Sequence, residues 1–195
     1  MIRLGLTGSI ASGKSTVLKA FADLGIPVFS SDPAVHDLYE GEAVPVVEAL
    51  FPGVTTDGRI DRAELGRRLV ADPGALPRLE TVVHPLVRAR MAKFLSEAEA
   101  SGAAIAVVDV PLLFETGFDY GLDGIAVTVA RDDTIRRRAL ARPGMNVQKL
   151  DAILARQMPQ AEKRKRADHV FDTDRPIEET TAEVAALVAE LKRSN

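Results

Sequence analysis

Leu6-Thr7-Gly8-Ser9-Ile10-Ala11-Ser12-Gly13-Lys14-Ser15-Thr16 is the stretch that decides the fold. From Gly8 to Ser15 it carries the spacing G-x-x-x-x-G-K-[ST], in which Gly8 and Gly13 let the backbone turn tightly so that successive N–H groups point at one anion. Lys14 adds a point charge near the β and γ oxygens of a bound phosphate chain, and Ser15 offers its hydroxyl to Mg²⁺. A helix starting near Ser12 or Gly13 would turn its unpaired first N–H groups and its positive dipole end to the same spot. The surroundings agree. Upstream, Ile2, Leu4 and Leu6 alternate with Arg3, Gly5 and Thr7 as in a strand; downstream, Val17, Leu18, Phe21 and Leu24 recur at helical spacing until Gly25 and Pro27 stop the helix. The loop is read as a nucleotide-phosphate cradle, with Gly8, Ala11, Ser12, Gly13, Lys14, Ser15 and Thr16 around the phosphates.

The rest of the chain narrows the setting. Its 195 residues suffice for one sizeable core with insertions. An apolar share of 46%, a charged share of 27% and a mean hydropathy of +0.02 fit a soluble globular protein. No apolar run approaches the ~20 residues that span a bilayer, and the first residues read as a strand rather than a leader, so a cytoplasmic protein is expected. The absence of cysteine excludes disulfides, thiolate catalysis and cysteine-based metal sites. A net charge of −3 speaks against a surface that coats nucleic acid. The expected partner is a small molecule, with neither nucleic acid nor membrane. Oligomeric state is open, a monomer being favoured.

Along the chain, Ile26 to Phe29 reads as a short second strand that ends in Ser30-Ser31-Asp32. Ligands sit at that carboxyl edge in open parallel sheets. Residues 33 to about 100 lack clear strands and read as helices over Val44 to Leu50, Arg62 to Val70, Leu76 to Val83 and Leu86 to Leu95. A crossover needs one helix, so the surplus is expected to bind a second substrate. Ile105 to Val110 is continuously apolar, as a strand buried on both faces should be, and Gly124 to Val129 repeats the pattern. A helix follows from Asp132 to Leu140. Pro143-Gly144 breaks it, a further helix runs from Val147 to Gln157, and residues 137 to 166 form an arginine-rich helical excursion. Val170-Phe171 and Ile177 to Leu191 supply a last strand and a last helix. The expected architecture is a phosphate-loop α/β kinase fold, with a mostly parallel five-stranded sheet flanked by helices. Its sheet core covers 1–31, 103–136 and 167–195, its helical substrate-binding insertion about 32–102, and its arginine-bearing lid about 137–166.

A phosphate loop alone does not choose among functions. A guanine switch is disfavoured because no Asp is followed three places on by Gly, and neither asparagine, Asn146 nor Asn195, stands in a guanine clamp. A motor ATPase would carry an acidic pair where Asp109 is followed by Val110-Pro111. Small kinases remain, whose mark is an arginine lid over the transferred group. Over nearly its whole length the chain resembles the dephospho-coenzyme A kinase family, through Leu6 to Val17, Leu24-Gly25-Ile26 leading to Asp32, His84-Pro85-Leu86-Val87-Arg88, and Val110-Pro111-Leu112-Leu113-Phe114-Glu115. Three stretches depart from the family's pattern: Ser30-Ser31-Asp32 stands for Asp-Ala-Asp, Arg142-Pro143 for Arg-Asp, and Asp172-Thr173-Asp174 for a more usual Asp-Asn pair. The resemblance implies ATP-dependent phosphorylation of the ribose 3′-hydroxyl of dephospho-coenzyme A, giving coenzyme A and ADP. The alternatives are a nucleoside or nucleotide kinase of related fold, or a nucleotide-dependent binding regulator.

Phosphoryl transfer needs alignment and charge neutralisation, so the residues sought are a base, a metal and cations. Asp32 is read as the base that accepts the hydroxyl proton, against the plainer reading of a helix cap before Pro33. Lys14 and Arg142 complete the catalytic set. Ser15 and Asp109 are the candidate Mg²⁺ ligands, although Asp109 could equally serve neighbouring backbone. His84 and Arg88, four apart on one helix face, are candidates for the acceptor; a histidine before proline is otherwise a helix start. Leu112, Leu113 and Glu115 would complete the acceptor site, with Phe114 read as core. Arg138 and Arg142, also four apart, repel unless an anion lies between them, which suits ATP. The remaining cations, including Lys163 to Arg166, are read as surface.

Overall fold

The computed structural model describes residues 1–193. In chain order they form β1 (Ile2–Gly8), α1 (Lys14–Asp23), β2 (Val28–Ser30), α2 (Ser31–Tyr39), α3 (Val44–Leu50), β3 (Thr55–Thr56), β4 (Arg59–Ile60), α4 (Arg62–Ala71) and α5 (Ala75–Ala100). Then come β5 (Ile105–Asp109), β6 (Gly124–Val129), α6 (Asp132–Leu140), α7 (Val147–Ala155), α8 (Gln160–Arg166), β7 (His169–Asp172) and α9 (Ile177–Arg193). The chain divides into two compact units, one of residues 1–29 with 97–195, the other of residues 30–96. Among the described residues no helix is long and apolar enough to cross a membrane.

The first unit is built on a five-stranded sheet of order β2-β5-β1-β6-β7, in which β1 runs parallel to both β5 and β6, and β6 parallel to β7. Position in that order explains burial. All five residues of β5, flanked on both sides, are buried, whereas the three of edge strand β2 are only half-buried. The core joins Leu4, Leu6, Ile105, Val107, Ala126 and Phe171 of the sheet to Val17 and Phe21 of α1 and Val184, Leu187 and Val188 of α9. Phe21 meets Phe171 edge to face, with centroids 6.2 Å apart; burying such a ring contributes about 1.5–3 kcal/mol. Helix α1 ends in a Schellman turn: Gly25 takes φ 74°, its N–H reaches the carbonyl of Ala22, and the N–H of Ile26 reaches that of Phe21.

The second unit carries three departures from the pattern read in the sequence. A two-residue hairpin, Thr55–Thr56 against Arg59–Ile60, turns through Asp57-Gly58, where only helices were expected. The helices expected on either side of His84-Pro85 are one, α5, with Pro85 inside it. A proline removes a single N–H donor from a helix interior, and 26 residues of favourable sequence tolerate that loss here. In addition Asp32 lies within the first turn of α2, one residue past its start, so it is not the helix cap. Local carboxylate bonds recur through this unit. Glu48 accepts from the N–H of Gly53 (2.5 Å), the N–H of Val54 (3.1 Å) and the hydroxyl of Thr55 (2.6 Å), while Asp61 caps α4 through the N–H groups of Ala63 and Glu64.

Candidate active site

Strand register assembles the phosphate loop. Pairing of Leu6 with Asp109 brings that carboxylate to the carboxyl edge of β1, and pairing of Gly8 with Thr128 brings a hydroxyl to the loop's first glycine. Lys14, first residue of α1 and half-buried, points its ammonium at the buried Asp109 and makes an ion pair with it. Ser15, the next residue, is exposed.

The two motif glycines are required for different reasons. Gly13 sits at φ 86°, the left-handed region, and a Cβ there would lie 2.8 Å from the side chain of Thr173. Gly8 does not adopt a positive φ; what excludes a side chain is space, since a Cβ would fall 2.1 Å from Thr128 Oγ1 and 2.5 Å from Ser12 Oγ. The second left-handed turn is made by Ala11, at φ 58°, a conformation that costs a non-glycine residue roughly 1–2 kcal/mol. Its methyl is buried in a small cluster with Ala139 of α6 and Leu150 of α7, packed by Ile10, Met145 and Leu154, and that contact offsets the strain. The arginine-rich excursion therefore rests on the loop itself. Gln157 adds a polar tie by accepting the N–H of Ile10 at 3.0 Å.

Ser12 is wholly buried and pinned from two sides. Its hydroxyl shares a 2.6 Å hydrogen bond with Thr128, and its carbonyl accepts the hydroxyl of Thr173 at 2.9 Å. Thr173 in turn accepts from Arg138 Nη1 at 3.0 Å, while Arg138 Nη2 donates to the Thr173 carbonyl at 2.7 Å. Next to it, burial pushes the carboxyl of Asp174 up. The N–H of Arg131, the hydroxyl of Thr134 and the charges of Arg131 and Arg138 outweigh burial and hold it below the usual carboxylate value.

The loop after β5 is occupied in a way the sequence did not suggest. Lys163, read as surface, is completely buried, with its Nζ 2.7 Å from Glu115 Oε1. Glu115 also accepts the N–H of Met158 at 2.7 Å. The lysine and the carboxylate are close but poorly aligned, and among the described residues neither Nζ nor Glu115 Oε2 has a partner in hydrogen-bond geometry. Phe114 is not core but half-buried, with the guanidinium of Arg166 6.0 Å from its ring centroid. Leu113 is the buried member of the apolar pair, near enough to β1 that a Cβ on Gly5 would lie 3.0 Å from it; Leu112 is half-buried.

A backbone cradle at the start of α1, a lysine held on the acid that ends β5 and an arginine-rich helical pair over the loop are the parts of a small-molecule kinase. The family model for dephospho-CoA kinase matches residues 2–179. A dephospho-CoA kinase of Rhodopseudomonas palustris is 53% identical over 188 residues, covering 96% of this chain and 94% of that protein. The chain belongs to the dephospho-CoA kinase family. Among solved structures, the protein TT1252 of Thermus thermophilus superposes with a TM-score of 0.81 at 37% identity, covering 97% of each chain. A dephospho-CoA kinase from Campylobacter jejuni, at 23% identity and a TM-score of 0.69, shares the fold over 97% of this chain and 96% of its own.

The remaining family positions fall in both units. Asp32 is exposed on α2, and His84 and Arg88 are half-buried on one face of α5. Arg142 is exposed in the turn after α6. Arg138 spends two of its donors on Thr173, and a guanidinium has five. Thr128, Gln157, Lys163 and Thr173 are the residues that sequence reasoning missed. The departure at Thr173 from the family's usual Asp-Asn pair was the one available signal.

Proposed function

We propose that this chain transfers the γ-phosphoryl group of ATP to the ribose 3′-hydroxyl of dephospho-coenzyme A in the cytoplasm, closing coenzyme A synthesis. The 3′ oxygen forms the new bond to phosphorus, the bond from phosphorus to the β,γ-bridging oxygen breaks, and ADP leaves. Asp32 accepts the hydroxyl proton. Lys14 leaves Asp109 for the β and γ phosphates, to which the N–H groups of the loop and of the start of α1 also donate. Arg142 neutralises charge on the group in transit, and Arg138 supports it. His84, Arg88, Leu112 and Leu113 hold the acceptor within residues 32–102 and the loop after β5, with Glu115 at that loop's end. Residues 137–166 act as the lid.

Ser15 and Asp109 present a hydroxyl and a carboxylate, hard oxygen donors that fit Mg²⁺, an ion that takes few protein ligands and shares the phosphates. Bound there, Mg²⁺ would supply charge neutralisation at the phosphate oxygens. What most supports the reading is the ion pair between Lys14 and Asp109 beside the first turn of α1, in a chain of this family. The test is ADP release measured over a panel of acceptors. Dephospho-coenzyme A should give the highest kcat/KM, with a 3′-phosphorylated product. A nucleoside that outcompetes it, or ATP turnover that needs no acceptor, overturns the proposal.

A further inference from the structure

Thr173 is buried just past the end of β7, and each of its polar groups is committed. Its N–H donates to the carbonyl of Val129 at 2.9 Å, its carbonyl accepts from Arg138, its hydroxyl oxygen accepts from Arg138 as well, and its hydroxyl proton goes to the carbonyl of Ser12. A second carbonyl, that of Val129, lies farther from the hydroxyl, at 3.3 Å against 2.9 Å, so the single proton belongs to Ser12. We infer that Thr173 is a positioning residue for the phosphate loop and the link through which Arg138 acts on it.

One peptide plane carries the effect from Thr173 to the loop. The Ser12–Gly13 bond is trans, so its carbonyl and the N–H of Gly13 point in opposite directions. A hydroxyl that fixes the Ser12 carbonyl on Thr173 thereby fixes the Gly13 N–H on the far side, where the turn of the loop gathers its donors for an anion. Gly13 has no Cβ to stabilise this orientation by itself, and its left-handed φ is one of several conformations open to glycine. The contact is also close enough to be selective: a Cβ at position 13 would meet three atoms of the Thr173 side chain at 2.8 Å. On its other side Ser12 is held by Thr128, so loss of the Thr173 bond frees the carbonyl while leaving the Ser12 side chain in place. Arg138 donates to both oxygens of Thr173, so the orientation of that side chain is set from α6, the helix that leads into the arginine-rich excursion. Donor binding and the Arg138 side chain of this helix are then coupled through the Thr173 hydroxyl, beside the apolar contact of Ala139 with Ala11.

The inference rests on the reading of residues 8–16 as a cradle for nucleotide phosphates. Its test uses calorimetric titration of the full chain with ADP and, separately, with dephospho-coenzyme A. Thr173→Val keeps the shape and removes the hydroxyl; Thr173→Ala serves if the valine variant does not fold. A buried carbonyl without its donor costs enough to weaken ADP binding by about tenfold in Kd. Dephospho-coenzyme A affinity should stay within twofold of the parent, and Thr173→Ser should restore ADP binding. Arg138→Ala combined with Thr173→Val should weaken ADP no more than the stronger single change, because both act through one group. Unchanged ADP affinity in the folded valine variant, or equal weakening of both ligands, overturns the role of Thr173. A parent protein that fails to bind ADP removes the cradle reading itself, and Thr173 with it.

Discussion

The phosphate loop and the helical unit are fastened in opposite ways. Every side chain that secures the loop comes from far along the chain: Thr128 is 116 residues from Ser12, Gln157 is 147 from Ile10, and Thr173 is 161 from Ser12. Glu48 and Asp61, which shape turns of the helical unit, instead bond near neighbours, Glu48 to residues five to seven places on and Asp61 to residues two and three places on. A loop held by distant partners takes its shape only when the whole sheet has formed, and it reports on the integrity of that unit. Turns held by local carboxylates form segment by segment, and they answer to pH.

Four changes would break or sharpen this contrast. The largest effect belongs to Asp32→Asn, which lies in the helical unit: kcat should fall by a factor on the order of 10² to 10⁴ while ADP affinity, a property of the other unit, stays unchanged in titration. Full turnover in this variant would remove Asp32 from the base role. Next comes the buried pair. Lys163→Met should destabilise by about 3–5 kcal/mol, since it strands a carboxylate, whereas Lys163→Met with Glu115→Leu should recover most of that loss in denaturant unfolding. Equal loss in the single and double variants would show that packing rather than charge governs the site.

A smaller effect is expected within residues 137–166. Asn146 caps α7 by accepting the N–H of Lys149 at 2.8 Å, and Asn146→Ala should cost about 1 kcal/mol, read as a drop of roughly 2–4 °C in Tm. ADP binding should survive, because this bond is local although its unit is not. The subtlest test is a pH series. The hydroxyl of Thr55, then the N–H of Gly53, hold the Glu48 carboxyl below its ordinary value. A depressed folded pKa contributes stability that is complete above the unfolded value, near 4.3, and is lost as pH falls through the folded one. Melting curves from pH 6 downward should therefore show Glu48→Gln losing less stability than the parent below about pH 4. Parallel curves would mean that Glu48 does not contribute to the acid sensitivity.

What the sequence disclosed follows the same division. Strand, loop and α1 were legible because their signals are local: alternation, two glycines at fixed spacing, then a helical stripe closed by Gly25. Helix α6 was likewise bounded correctly at Asp132 and Leu140. Three features escaped. The hairpin around Asp57-Gly58 has two-residue strands, too short for alternation to register. Pro85 looked like a boundary because its cost is local, while the benefit of continuing α5 is spread over its whole length. Lys163 looked like surface because its neighbours Arg164, Lys165 and Arg166 are charged, and only the fold brings Glu115 to it. Site chemistry followed suit, with Lys14 visible through the loop motif, Asp109 visible at a strand end, and Thr173 hidden until β7 was placed beside β6.

The sealed ammonium of Lys163 has a kinetic meaning. Half-detaching the stretch from Met158 onward would draw the Lys163 ammonium off the Glu115 carboxylate before water could solvate either fully, so intermediate positions of that stretch lie high in energy, which favours a fixed abutment. Under the proposed closure of residues 137–166, the joint therefore lies upstream of Met158, and an engineer seeking to retune its speed should cut there rather than at the anchorage.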